Sequence, residues 1–151
     1  MSRAGSAMIR QAIAADHSAL LSLLAEAGLP TEGVPASLDG FVVAEAAGGS
    51  IVGAAGIEAY GDKGLLRSVV VAPSLRGTGL GQDLTEHVIA EAGERGIADL
   101  YLLTTTAEHF FTRFGFYPVT RDAVPEAVQA SVEFQGVCPS TAVIMHCPIR
   151  S

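Results

Sequence analysis

The chain has 151 residues, 49% hydrophobic and 17% charged, with a mean hydropathy of +0.39 and a net charge of −7. That length supports one packed domain; the composition excludes an intrinsically disordered chain, and Cys138 and Cys147 are too few for a disulfide scaffold. No apolar run approaches the ~20 residues that cross a bilayer, residues 1–8 hold no apolar signal core, and 9 basic against 16 acidic residues argue against a nucleic-acid partner.

A soluble, cytoplasmic chain without membrane contact is expected, with residues 1–7 a frayed leader. A first strand is predicted at Met8–Ala12. Asp16 then caps a helix carrying Leu20, Leu21, Leu23 and Leu24, which Gly28 and Pro30 end. Residues 31–40 read as loop. Phe41–Ala46, Ile51–Tyr60 and Leu65–Ala72 are strands separated by turn signals at Gly48-Gly49-Ser50 and Gly61-Asp62-Lys63-Gly64, and form an antiparallel meander. Leu80, Leu84, Val88 and Ala92 recur at four-residue spacing, which gives an amphipathic helix from Leu80 to Glu94. The strand Asp99–Thr104 follows, and strand–helix–strand order implies a parallel pair. Thr105-Thr106-Ala107-Glu108 has capping-box spacing and opens a short helix through Phe110, Phe111 and Phe114, closed by Gly115. A strand at Phe116–Thr120, a helical segment at Val124–Ala130 and a final strand at Ala142–Ile149 complete one α+β domain over residues 1–151. Its central sheet is mixed, mostly antiparallel and flanked by helices.

The informative segment is the run from Val69 to Gly81: a strand, Pro73, Arg76, then glycines at 77, 79 and 81 opening a helix. Glycines let backbone N–H groups turn toward one point, and the helix dipole adds partial positive charge there. The product is an anion cradle. The phosphate loop of nucleotide hydrolases requires a lysine after its last glycine, where this chain has Gln82 and Asp83. The dinucleotide fingerprint requires a third glycine where this chain has Gln82. The pattern R-x-x-G-x-G fits, as Arg76-x-x-Gly79-x-Gly81.

With Val69-x-Val71-x-Pro73-x-x-Arg76-x-x-Gly79-x-Gly81 and Phe111-x-x-Phe114-Gly115-Phe116, the chain resembles the GNAT superfamily of acyl-coenzyme-A-dependent N-acetyltransferases from Met8 to Ile149. Gly56-Ile57-Glu58-Ala59-Tyr60-Gly61, Gly64-Leu65-Leu66-Arg67-Ser68-Val69, and Glu133-Phe134 followed by Cys138-Pro139-Ser140-Thr141-Ala142 resemble its arsenic-resistance N-acetyltransferase branch. The resemblance implies acetyl-CoA as cosubstrate, its diphosphate on the amides from Arg76 to Gly81 and its pantetheine arm along Val69–Val71. The coenzyme set is then Val69, Val70, Val71, Arg76, Gly77, Thr78, Gly79, Leu80 and Gly81, with Thr105, Phe110, Phe111 and Phe114.

If Tyr60 faces Leu65 across the turn, Glu58 faces Arg67, on a face shared with Val69 and Val71. In the catalytic reading Glu58 takes a proton from an attacking amine and Arg67 holds an oxyanion of a small acceptor. In the bland reading they are a cross-strand ion pair worth ~0.2–1 kcal/mol. Many GNAT enzymes have a tyrosine proton donor where this chain has Phe111. Since a thiol has a pKa of ~8.5, thiolate departure remains inexpensive, and activity is expected. Tyr101 and Tyr117 are substitute donors or packing residues.

His17, His87, His109 and His146 show no metal spacing, so no metal is expected. Ser68, Cys138 and Ser140 join Glu58 and Arg67 as acceptor-side residues. The expected function is acetyl transfer from acetyl-CoA to the amine of a small, anionic acceptor, with a link to arsenic resistance implied by the branch. Two rivals stand beside it: a noncatalytic acyl-CoA sensor, suggested by Phe111, and a homodimeric interaction module.

Overall fold

Strands with apolar residues on both faces need cover on both, and the sheet here is sandwiched accordingly. The protein is described from a computed structural model covering residues 7–29, 31, 34–105, 107–130 and 142–149. The strands are β1 (Met8–Gln11), β2 (Phe41–Glu45), β3 (Ile51–Tyr60), β4 (Lys63–Val71), β5 (Asp99–Thr104), β6 (Tyr117–Val119) and β7 (Val143–Pro148). They form one sheet in the order β1-β2-β3-β4-β5-β7-β6, antiparallel except for the β4–β5 pair. The helices are α1 (His17–Glu26), α2 (Leu80–Glu94), α3 (Glu108–Thr112) and α4 (Glu126–Gln129).

On one face Leu80, Leu84, Val88 and Ala92 of α2 and Phe111 of α3 cover Val42, Ala44, Ala55, Ile57, Leu66, Leu100 and Leu102. The opposite face carries two separate clusters. Leu20, Leu23 and Leu24 of α1 pack on Phe41, Val43, Ala54 and Val70. Val124 and Val128, at α4, pack on Leu65, Tyr101 and Ile144. Alternation along β3 and β4 places Gly56, Glu58 and Arg67 on this second face, between the clusters. The fold therefore leaves a polar stretch of sheet flanked by two apolar caps.

The predicted β3, α2 and β5 have the observed bounds, and the antiparallel meander and the parallel pair are present. The hairpin register differs. Tyr60 pairs with Lys63 around a two-residue Gly61-Asp62 loop, so Glu58 lies opposite Leu65 and Gly56 opposite Arg67. The shift is two residues, and because side chains alternate with period two, Glu58 and Arg67 keep a common face as diagonal neighbours. A second correction concerns β4. Ser68 has φ +61, and one extra residue is accommodated between Arg67↔Gly56 and Val70↔Ala54. This bulge moves Val69 and Val71 to the α2 face and leaves Val70 on the face of Glu58.

Two predicted caps also change. Asp16 does not cap α1 with its side chain; its carboxylate accepts the Ile13 amide at 2.9 Å and two Arg10 bonds at 2.9 and 3.0 Å, fastening β1 to the helix entrance. At α3 the Ala107 amide donates to Thr104 Oγ1 at 2.9 Å, so the last strand residue closes the turn that the sequence assigns to Thr105.

Candidate active site

Gly77 and Gly79 sit at φ +83 and +91, left-handed values that a side chain disfavours, while a Cβ on either would meet nothing within 4 Å. These glycines are required by the backbone path, and the space beyond them is open. Within this loop the Arg76 amide donates to Pro73 O and the Thr78 amide to Leu75 O, each at 3.3 Å. The amides of Gly77, Gly79, Leu80, Gly81 and Gln82 donate to no backbone acceptor among the described residues. The turn thus consumes the amides of Arg76 and Thr78, two of those expected to form the cradle. Of the amides left over, those from Gly79 to Gln82 are the unsatisfied N-terminal donors of a 15-residue helix, where the dipole favours an anion. The exposed Arg76 donates Nε to Val71 O at 3.4 Å, which keeps its guanidinium beside the loop.

Beside the cradle the sheet opens. β4 and β5 pair only at Lys63↔Asp99, Gly64↔Leu100 and Leu65↔Tyr101, and the remainder of β4, through Val71, has no partner on that side among the described residues. The bulge leaves Ser68 and Val69 without register partners on β3 as well. A slender extended ligand could pair with this exposed strand edge between β4 and β5.

At the bulge lies the acidic group. Arg67 Nη1 donates to Glu58 Oε2 at 2.6 Å and Arg67 Nε to Ser68 Oγ at 3.0 Å. Tyr60 Oη donates to the other carboxylate oxygen, Oε1. The Arg67 side chain is 0% exposed and that of Glu58 16%, so Glu58 is the member that solvent or a ligand meets. The pair shares one face as predicted, without Val69 and Val71, and its bond is diagonal. Tyr60 is a participant the sequence reading missed, although its place two residues from Glu58 on a strand is a readable signal for a shared face.

On the α2 side Phe110 packs edge-on against Phe111 and Phe114 at centroid distances of 5.0 and 5.3 Å. Phe111 is buried in the main core, and Phe110 lies 3.7 Å from the position a Gly81 Cβ would take. Arg113, not foreseen from the sequence, stacks 5.0 Å over Phe110 and donates to Gln82 Oε1 at 3.2 Å. It brings a second arginine to the first turn of α2. Thr105 is exposed at the end of β5. Tyr101 and Tyr117 lie on the opposite face from Phe111, so neither replaces a hydroxyl there. Cys147 is buried against Phe114 O, and burial pushes its thiol pKa up. Cys138 and Ser140 lie outside the described residues. No cluster of His, Cys, Asp or Glu among the described residues is arranged to hold a metal ion.

Residues 37–118 match the acetyltransferase (GNAT) domain family. An amino-acid acetyltransferase of Ralstonia nicotianae is 40% identical over 80 residues, 52% of this chain but 18% of that protein. The corresponding Escherichia coli K12 protein is 35% identical over 72 residues, 48% of this chain and 16% of its own length. The chain thus spans a small part of these relatives. The N-acetylglutamate synthase of Neisseria gonorrhoeae, solved with coenzyme A and N-acetyl-glutamate, superposes with a TM-score of 0.79 at 25% identity, over 96% of this chain and 35% of that one. A GNAT-family acetyltransferase of Staphylococcus aureus Mu50 superposes with a TM-score of 0.78 at 17% identity, covering 96% and 100% of the two chains.

Proposed function

The chain belongs to the GNAT acetyltransferase family, and from that premise we propose that it transfers an acetyl group from acetyl-CoA to the amine of a small acceptor carrying a carboxylate, an α-amino acid or a close analogue. The observation that carries this reading is the adjacency of three features: the amides of Gly77, Gly79, Leu80, Gly81 and Gln82, the edge of β4 beyond its pairing with β5, and the Glu58–Arg67 pair at its bulge. The amides fit a diphosphate in number, direction and sign, and the open space beyond Gly77 and Gly79 admits one. The edge of β4 fits the amide-bearing pantetheine arm. Acetyl-CoA held there supplies an acetyl thioester next to Ser68.

This chain's residues do the rest. An amine attacks only when it has lost its proton, and the partly exposed Glu58 carboxylate, whose two oxygens also accept from Tyr60 and Arg67, takes that proton directly or through water. Arg67, buried and bonded to Glu58 and Ser68, fixes the carboxylate in place instead of reaching into solvent. The backbone amide of Val69, which has no register partner on β3, is placed to stabilise negative charge on the carbonyl oxygen. Phe111 donates no proton, and the sulfur leaves as thiolate. The amino-acid acceptor class is supported by the names of the relatives. A link to arsenic resistance rests on the sequence resemblance alone, so an arsenical amine belongs in the acceptor panel.

Phe111 also favours a second reading, a noncatalytic acyl-CoA sensor. Thiol release from acetyl-CoA, measured with a panel of α-amino acids and simple amines, separates the two. The proposal expects release with at least one carboxylate-bearing amine and strong loss of rate in Glu58→Gln. Tight coenzyme binding with no release across the panel would assign the sensor instead.

A further inference from the structure

Away from the Glu58 site, on the same sheet face, four polar side chains from four strands form one chain of hydrogen bonds. Lys63 Nζ of β4 donates to Asp99 Oδ2 of β5 at 2.6 Å, His146 Nε2 of β7 lies 2.9 Å from Asp99 Oδ1, and Tyr117 Oη of β6 lies 2.9 Å from His146 Nδ1. The directions follow from the chemistry. Lys63, then His146, holds the Asp99 carboxyl below its usual range, against the opposing effect of burial. Asp99 is therefore an acceptor only, and Nε2 must carry the hydrogen. A neutral imidazole then has its lone pair on Nδ1, aimed at the phenol of Tyr117. The ring cannot turn freely, since it stacks on Tyr101 at 4.6 Å with a 12° interplanar angle. Tyr117 is 46% exposed, while the His146 and Asp99 side chains are 17% and 21% exposed.

A nucleophile in contact with a base, and a base oriented by a carboxylate, here the half-buried Asp99, is the arrangement that activates hydroxyl nucleophiles elsewhere in proteins. We propose that Tyr117 is an activated phenol, a covalent acylation site for activated esters, with His146 as its base and Asp99 and Lys63 as positioning residues. In the step, Tyr117 Oη forms a bond to the acyl carbonyl carbon and its proton passes to His146 Nδ1. The bond from that carbon to the leaving oxygen or sulfur breaks, and the leaving group departs with the electron pair and recovers the proton from the imidazolium. The product is an O-acyl tyrosine and a free alcohol, phenol or thiol. Nothing in this step draws on the cradle or on Glu58, so it stands or falls separately from the acetyltransferase reading.

The chain has three tyrosines, at 60, 101 and 117, and one lysine, Lys63, so competing acylation sites are few. The probe is p-nitrophenyl acetate, with release of p-nitrophenolate followed by absorbance and the acetyl group located by peptide mass spectrometry. The groups facing His146 are Asp99 and Tyr101 of β5, Tyr117 of β6 and, through Asp99, Lys63 of β4. The expected result is a burst of one equivalent with the acetyl on Tyr117, absent in Tyr117→Phe. The rate should be about 100-fold lower in His146→Gln. Tyr117→Phe keeps the ring contact and serves as the folded control, and its circular dichroism should match the parent. Acetyl spread over Lys63 and the chain terminus, with Tyr117 modified no faster than Tyr60 or Tyr101, would overturn the proposal. So would a Tyr117 rate unchanged by His146→Gln in a folded protein.

Discussion

A buried arginine head group is expensive unless every charge around it is answered, and Arg67 illustrates the terms. Its side chain is 0% exposed, and its stable place in the sheet depends on Glu58. Glu58→Ala should therefore destabilise the fold by about 3 kcal/mol, measured by urea unfolding, because it strips a partner from a buried charge. Glu58→Gln keeps an acceptor for Arg67, should cost far less stability, and should still lower kcat/KM about 100-fold in an amine-dependent thiol-release assay. The two substitutions together separate the structural from the chemical contribution of one carboxylate. Asp16 gives a pH dependence with a definite sign. Its pKa is lowered, first by the Arg10 hydrogen bonds and, after the opposing effect of burial, by the Ile13 amide. The stability this confers is complete above the ordinary carboxylate range, near ~4, and is lost as pH falls through the lowered folded-state value. Thermal melts from pH 7 down to pH 3 should fall less steeply for Asp16→Asn than for the parent. At this scale the sequence disclosed which side chains share a face more readily than what they touch. The shared face of Glu58 and Arg67 follows from alternation across a turn, and Tyr60, two residues from Glu58, carries the same readable signal, whereas Arg113 depends on a helix position that no local pattern states.

Elements with a strong period were read to their ends. β3 and α2 end at the clear stop signals Gly61 and Gly96, and β5 is continuously apolar from Leu100 to Leu103. The misreadings fall where tertiary packing overrides local chemistry. The Gly61-Asp62 loop is shorter than the glycine-to-glycine turn suggested, and the Ser68 bulge inverts the faces of Val69 to Val71 without any glycine or proline to announce it. Gly56 shows a packing role invisible in sequence: a Cβ there would lie 2.4 Å from the buried ring of Phe41. Gly56→Ala should cost about 1–3 kcal/mol by overpacking, read from the midpoint of a denaturant titration. Gly79→Ala should cost about 1–2 kcal/mol for its left-handed backbone and should also weaken coenzyme A binding, since it redirects the amides of the first α2 turn.

For the molecule as a whole, a net charge of −7 would repel a polyanionic ligand, so binding must be local. Two arginines flank the N-terminal end of α2: Arg113, bonded to Gln82 of its first turn, and Arg76, in the loop that leads into it. Coenzyme A at about 100 times its Kd should stabilise the protein by about 2.7 kcal/mol and raise Tm by about 5–10 °C. Arg113→Ala should reduce that rise while leaving the Tm without ligand nearly unchanged, as expected of an exposed side chain. The measurement that bears most directly on the cradle is a titration of coenzyme A followed by amide proton and nitrogen chemical shifts. Saturable shifts should appear at Gly77, Gly79, Leu80, Gly81 and Gln82, with Gly28 and Gly96 at the far ends of α1 and α2 unmoved. Resonances of that first turn that stay fixed at millimolar coenzyme A would contradict the assignment.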